Sequence, residues 1–178
     1  MGRLSRVFSV HRLEVVRRRL RRAAHGLAGR QRMVVVPLLE PEHTSHALDL
    51  ACLLAADRGS RVLLIAPLFV DWELPLDAHF KTEQAALRAE LDRERALAES
   101  YGISAHAKVV RARPGELGRA VAEAAEEVRA SMIVVGAAVE SQRGFRQPFS
   151  RDVWSVLQDA PCRVMITTGA GARARAAA

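Results

Sequence analysis

Five short, largely apolar runs, the first four each followed by a stretch with helical periodicity, constrain this chain more than any other feature. They are Met33 to Leu39, Arg61 to Ala66, Ser104 to Arg111, Ser131 to Gly136 and Arg163 to Thr167. Each has the length of a strand, and none approaches the roughly 20 apolar residues that span a bilayer. Between them, Thr44 is placed to cap a helix with Ala47, Leu50, Ala51, Leu54 and Ala55 on one face, stopped by Gly59. A polar connection from Pro67 to Ala78 leads to a long charged helix from about Phe80 to Tyr101, with Leu87, Leu91, Ala98 and Tyr101 on one face and Gly102 closing it. Ala120, Val121, Ala124 and Val128 mark a third helix, and Phe149, Val153, Val156, Leu157 and Ala160 a fourth. Strands this apolar are buried on both faces. The order therefore predicts an α/β domain: a five-stranded, mainly parallel open sheet of Rossmann-like type with helices on each side. Ligands of such sheets sit beyond the carboxyl ends of the strands at the switch point, here the loops after Leu38 and after Gly136.

Charge divides the chain at the first strand. Residues 1–32 hold ten arginines and one acid, Glu14, a net +9 against +7 for the whole chain, so the body is close to neutral at −2. Only two cysteines occur, Cys52 and Cys162, far apart in sequence, which excludes a disulfide scaffold and fits a reducing cytoplasm. The expected organisation is a basic arm over 1–32, one domain over 33–168 and a patternless, disordered tail over 169–178.

Within the arm, Leu13, Val16, Leu20, Ala23, Ala24 and Leu27 recur at helical spacing, with Arg17, Arg18, Arg21 and Arg22 covering most of the rest. A basic amphipathic helix of this kind suits an anionic membrane surface, a membrane protein or an acidic partner. It also has the arginine-rich, acid-poor character of a targeting peptide, but lacks a secretory apolar core. A plain solvated extension is the simplest reading. Nucleic acid is not expected, because only Phe8 is interleaved and no recognition motif occurs.

The body resembles a known family. Val34-Val-Val-Pro37, Met132-Ile-Val-Val-Gly136 and Val156-Leu-Gln-Asp-Ala-Pro-Cys-Arg-Val-Met-Ile166 resemble the universal stress protein domain, including copies appended to bacterial amino-acid transporters, over about Met33 to Thr167. The resemblance implies that nucleotide-binding members use a Gly-x2-Gly-x9-Gly-Ser/Thr loop and an Asp at the end of the first strand. Glycines let backbone amides approach phosphate oxygens, and a following helix N-terminus favours the anion. Here Gly136 matches the first glycine, but Val139 stands at the second. The third falls on Phe149 or Ser150, with Arg151 next under one alignment, and Leu39 stands where the Asp is expected. Val139 is β-branched where close approach is needed, and Leu39 offers no hydrogen bond to a base or ribose. Arg143, Arg146 and Arg151 surround the loop and offer side-chain charge in partial compensation. Ser150 is expected to serve as an N-cap, with donation to an anion as the alternative. The resemblance also implies a homodimer through the last strand, Arg163 to Thr167. Trp154, off the apolar face of its helix, is a candidate for such a contact.

Other chemistry is weak. His43-Thr-Ser-His46 stands where related adenylyl-transferring enzymes carry His-x-Gly-His, but Ser45 replaces the glycine, and a helix-opening polar stretch explains it as well. Glu40, Glu42, His43 and His46 have permissive metal-ligand spacing and nothing more specific. Neither Cys-x-x-Cys, a Gly-x-Ser-x-Gly elbow nor a Walker loop occurs. Cys52 and Cys162 read as small core residues. Arg88 with Asp92, and Arg95 with Glu99, are spaced for surface pairs. The expected function is a non-enzymatic regulatory or interaction domain, cytoplasmic or held at a membrane by its arm, with a degenerate nucleotide loop and no cofactor. The alternative is a stress protein whose dimer responds to ATP or another adenine nucleotide, and an adenylyl-transfer enzyme is the remote third reading.

Overall fold

The computed structural model describes residues 32–138 and 148–168. Residues 1–31 of the expected arm (1–32), the expected tail (169–178), and Val139, Arg143 and Arg146 of the loop lie outside the described residues. Nine elements alternate: β1 (Met33–Pro37), α1 (Pro41–Arg58), β2 (Arg61–Phe69), α2 (Lys81–Ser100), β3 (Ala105–Ala112), α3 (Leu117–Glu127), β4 (Ala130–Gly136), α4 (Arg151–Asp159) and β5 (Arg163–Thr167). The sheet order is β3-β2-β1-β4-β5, with every described pair parallel. Winding goes one way from β1 through β2 to β3 and then crosses back to β4, so the switch point lies between β1 and β4, as predicted.

Side-chain alternation sorts the strands into two cores. Val34, Val36, Val62, Leu64 and Val134 pack under α1 and α2 with Leu48, Ala51, Cys52 and Leu91. Val35, Leu63, Ile65, Ile133 and Val135 face the other way, against Leu117, Val121, Val153 and Val156 of α3 and α4. Sheet and helices thus form three layers. Burial holds the Cys52 thiol up, to about 12, with Asp49 and Glu94 adding to the rise.

Several local expectations shift. The first helix opens at Pro41, three residues before Thr44, and Glu40 is the N-cap residue. Proline favours the first helical position and keeps the residue before it extended, which is the conformation Glu40 has (φ −124°, ψ 104°). Thr44 lies buried inside the helix, its hydroxyl donating back to the Glu40 carbonyl at 2.9 Å. β2 runs on to Phe69 through Pro67, which lies beyond the last residue paired with β1, where only β3 remains as partner. Asp92 meets Arg95 at 3.0 Å rather than Arg88; Arg95 also reaches Glu99 at 3.8 Å, an exposed set of small energetic weight.

The helices α3 and α4 approach closely at Gly118. A β-carbon there would lie 2.2 Å from the Ser155 carbonyl oxygen, and the Gly118 N–H donates to Ser155 Oγ at 2.9 Å. Intrinsic helix propensity favours Gly118→Ala by about 1 kcal/mol. The backbone clash opposes it and dominates, so the substitution is expected to destabilise the fold by about 1–3 kcal/mol, read from urea unfolding midpoints. An unchanged or raised midpoint would contradict this packing.

Candidate functional site

The crevice beyond β1 and β4 is built by four chain segments. β1 ends at Pro37, and the turn Leu38-Leu39-Glu40 delivers the chain to α1. β4 ends at Gly136, followed by Ala137 and Ala138. After the undescribed 139–147, Phe149 and Ser150 lead into α4. Beside them the β3–α3 turn brings Gly115 to within reach of Arg151.

Glu40 is the centre of this arrangement. Its carboxylate accepts the Ala138 N–H at 2.6 Å through Oε2 and the Ser150 hydroxyl at 2.8 Å through Oε1. One donor leaves the carboxyl end of β4 and the other stands at the N-terminus of α4. The two are held on one anion, and both bonds are of the short, charge-assisted kind. Ser150 does occupy the N-cap position, but its side chain makes no capping bond to the helix. The hydroxyl donates to Glu40 instead, so the plain N-cap expectation does not hold. The backbone carbonyl of Glu40 meanwhile accepts from the amides of His43 and Thr44 (both 2.9 Å), which fixes the residue from both ends.

The remaining candidates separate. Gly136 is pressed against the first turn of α1: a β-carbon would meet the His43 carbonyl oxygen at 2.3 Å. Its lack of a side chain is therefore demanded by strand–helix packing, independent of any ligand. Leu39 is half-buried and packs with the β1–β4–α4 core, an apolar contact where the resemblance places a hydrogen-bonding Asp. Arg151 extends towards the β3–α3 turn, with Nη2 2.9 Å from where a Gly115 side chain would begin. Val139 lies outside the described residues. His43 and His46 both fall within the first two turns of α1, and His43 Nδ1 is buried with no hydrogen-bond partner among the described residues. Among the described residues no group of three or more His, Cys, Asp or Glu gathers in a metal-holding arrangement. None of their helices is long and apolar enough to cross a membrane.

The loop over the neighbouring β2 end is pinned from β3. Arg113 donates to the carbonyls of Asp71 and Val70 and lies 5.4 Å from the Trp72 ring centre, and Arg111 donates to Leu76 O at 2.7 Å. Those arginines are thereby committed to holding the loop. In the sequence Glu40 stands only among residues with permissive metal-ligand spacing; the Glu-Pro dipeptide at a helix start fixes where its side chain begins, but nothing local pairs it with Ala138 or Ser150.

Comparison with known proteins gives three findings. The family model for the universal stress protein family matches residues 31–168. No curated protein matches by sequence. Among solved structures, a universal stress protein from Archaeoglobus fulgidus is similar with TM-score 0.61 and 20% identity, over 77% of this chain and 93% of that one. A member of the universal stress protein family from Burkholderia pseudomallei is similar with TM-score 0.57 and 24% identity, over 80% of this chain and all (100%) of that one. The Archaeoglobus fulgidus protein in complex with dAMP is similar with TM-score 0.58 and 19% identity, over 78% and 98% of the two chains.

Asp152, in the first turn of α4, carries the electrostatic consequence of this crowding. Burial raises its carboxyl above the ordinary value; Arg151 opposes the rise and the nearby Glu40 adds to it. A carboxyl raised in the folded state weighs against folding when ionised, and that cost fades as pH falls through the raised value. Asp152→Asn is therefore expected to raise the thermal midpoint at pH 7, with the gain shrinking to nothing in strongly acidic buffer. A gain that persists unchanged at low pH would show that the effect is not electrostatic.

Proposed function

Because the chain belongs to the universal stress protein family, we propose that it is a non-enzymatic regulatory or interaction domain that acts through association, its nucleotide chemistry lost. The observation that carries this reading is Leu39, an apolar side chain packed into the core where a base- or ribose-binding acid would stand. A buried hydrogen-bonding edge of a nucleotide left opposite leucine goes unsatisfied, at a cost of about 1–3 kcal/mol. The reading is of a cytoplasmic protein that needs no cofactor.

Association is assigned to β5. This edge strand exposes Arg163 and leaves Val164, Met165 and Ile166 only half-covered, an apolar edge of the kind that proteins pair or protect. A second copy meeting β5 makes a homodimer. The alternative is a nucleotide-responsive dimer, supported by the dAMP complex of the Archaeoglobus fulgidus protein.

Equilibrium dialysis of the full chain against labelled ATP, with and without magnesium, separates the two. No saturable binding is expected up to millimolar ATP, with a dimer by sedimentation whose weight ATP leaves unchanged and which Ile166→Lys splits. Micromolar binding would replace the reading with the alternative. The arginine-rich residues 1–32 are assigned as a tether to an anionic surface. The full chain is expected to co-sediment with anionic vesicles, and a chain lacking 1–31 to stay in the supernatant; equal partition would remove the tether.

A further inference from the structure

We propose that Glu40 is an internal anion that fills the phosphate position of the crevice and makes the site of this chain refuse phosphate-bearing ligands. The inference deepens the reading above and rests on it for the claim that nucleotide is not bound. It differs in cause: the anion position is occupied as well as degenerate.

The argument starts from the donors. The Ala138 amide and the Ser150 hydroxyl come from separate elements, the exit of β4 and the start of α4, twelve positions apart in sequence. They converge on one carboxylate, at 2.6 and 2.8 Å. That is the chemistry by which a phosphate oxygen is held at such a place, backbone amide and hydroxyl together beside a helix N-terminus. The carboxylate arrives from a third element, and its position is set locally: Pro41 holds Glu40 extended, and the start of α1 holds its carbonyl. Because it is tethered, it competes at an effective concentration of about millimolar or above. A phosphate from solution must displace it or share the site with its charge. Arg151, the cation next to Ser150, is turned to the Gly115 side.

A purely structural staple between β4, α1 and α4 is the competing account. Both accounts expect Glu40→Ala to lower the thermal midpoint, so stability does not distinguish them. Ligand binding does. The full-length chain, Glu40→Ala, Glu40→Gln and Glu40→Ala with Ser150→Ala are each dialysed against labelled inorganic phosphate and against ATP, with circular dichroism checking the fold. The expected result is no saturable binding to the unsubstituted chain and a gain of at least about tenfold for Glu40→Ala. Glu40→Gln, which keeps the bulk and removes the charge, is expected to gain less, and the double variant to lose most of the gain. Inorganic phosphate is expected to bind nearly as well as ATP, since Leu39 offers the nucleoside nothing.

If neither folded single variant gains binding, the inference is overturned while the reading of a nucleotide-free domain stands. Should Glu40→Ala unfold, Glu40→Gln alone decides the matter in the same way. A gain that survives Ser150→Ala places the anion elsewhere and also overturns it. Micromolar ATP binding by the unsubstituted chain overturns the functional reading itself, together with any excluding role for Glu40.

Discussion

β1 is hydrogen-bonded on both edges and covered on both faces, and the rest of the molecule follows from that position. Val34, Val35 and Val36 are at most 1% exposed. Their side chains alternate between the α1–α2 layer and the α3–α4 layer, so neither helix layer can be removed without opening a core. Parallel neighbours on both sides require crossover connections, and the helices that make the crossovers are the ones that cover the faces. The same arrangement leaves the carboxyl ends of β1 and β4 side by side with their chains departing in opposite directions. A crevice at that place is a consequence of the winding, before any residue in it is considered.

What fills the crevice is a matter of individual residues. The Glu40-Pro41 pair sets the last extended residue before α1, and from there the carboxylate reaches the Ala138 amide and the Ser150 hydroxyl. Leu39, its neighbour, is half-buried against the core, so the turn after β1 presents one apolar and one acidic side chain. Gly136 is required by the contact with the first turn of α1 whether or not a ligand comes. A glycine that matches a phosphate loop by its sequence spacing thus has a packing reason of its own.

The two edges of the sheet are not equivalent. β3 exposes His106 and Lys108, and Lys108 is paired with Glu127 at 2.5 Å, a charged edge of the kind that discourages strand addition. β5 is short and apolar, with half-covered side chains on both faces, Met165 towards one core and Val164 and Ile166 towards the other. Association through β5 is consistent with both edges and places the crevice and the pairing strand at neighbouring positions, since β4 adjoins each.

Most of the fold was legible in the sequence because strand burial and helix periodicity are local signals: the five strands, the four helices, the parallel sheet and the switch point all follow from runs of a few residues. Boundaries were less so where two rules competed, as at Pro41, where the preference of proline for the first helical turn outweighed Thr44 as a cap. At the site, the departures expected at Leu39 and Val139 rest on sequence spacing, and Val139 lies outside the described residues. What Glu40 meets could not be read that way. Its partners lie 98 and 110 residues away, and bringing them to one carboxylate depends on strand order, sheet twist and the close seating of α1 on β4. The sequence alone determined that a crevice would stand beyond β1 and β4, because alternation and burial leave few other ways to wind this chain. Only the tertiary structure decided that the donors at the end of β4 and the start of α4 meet on the Glu40 carboxylate, because convergence of distant donors is a property of packing rather than of pattern.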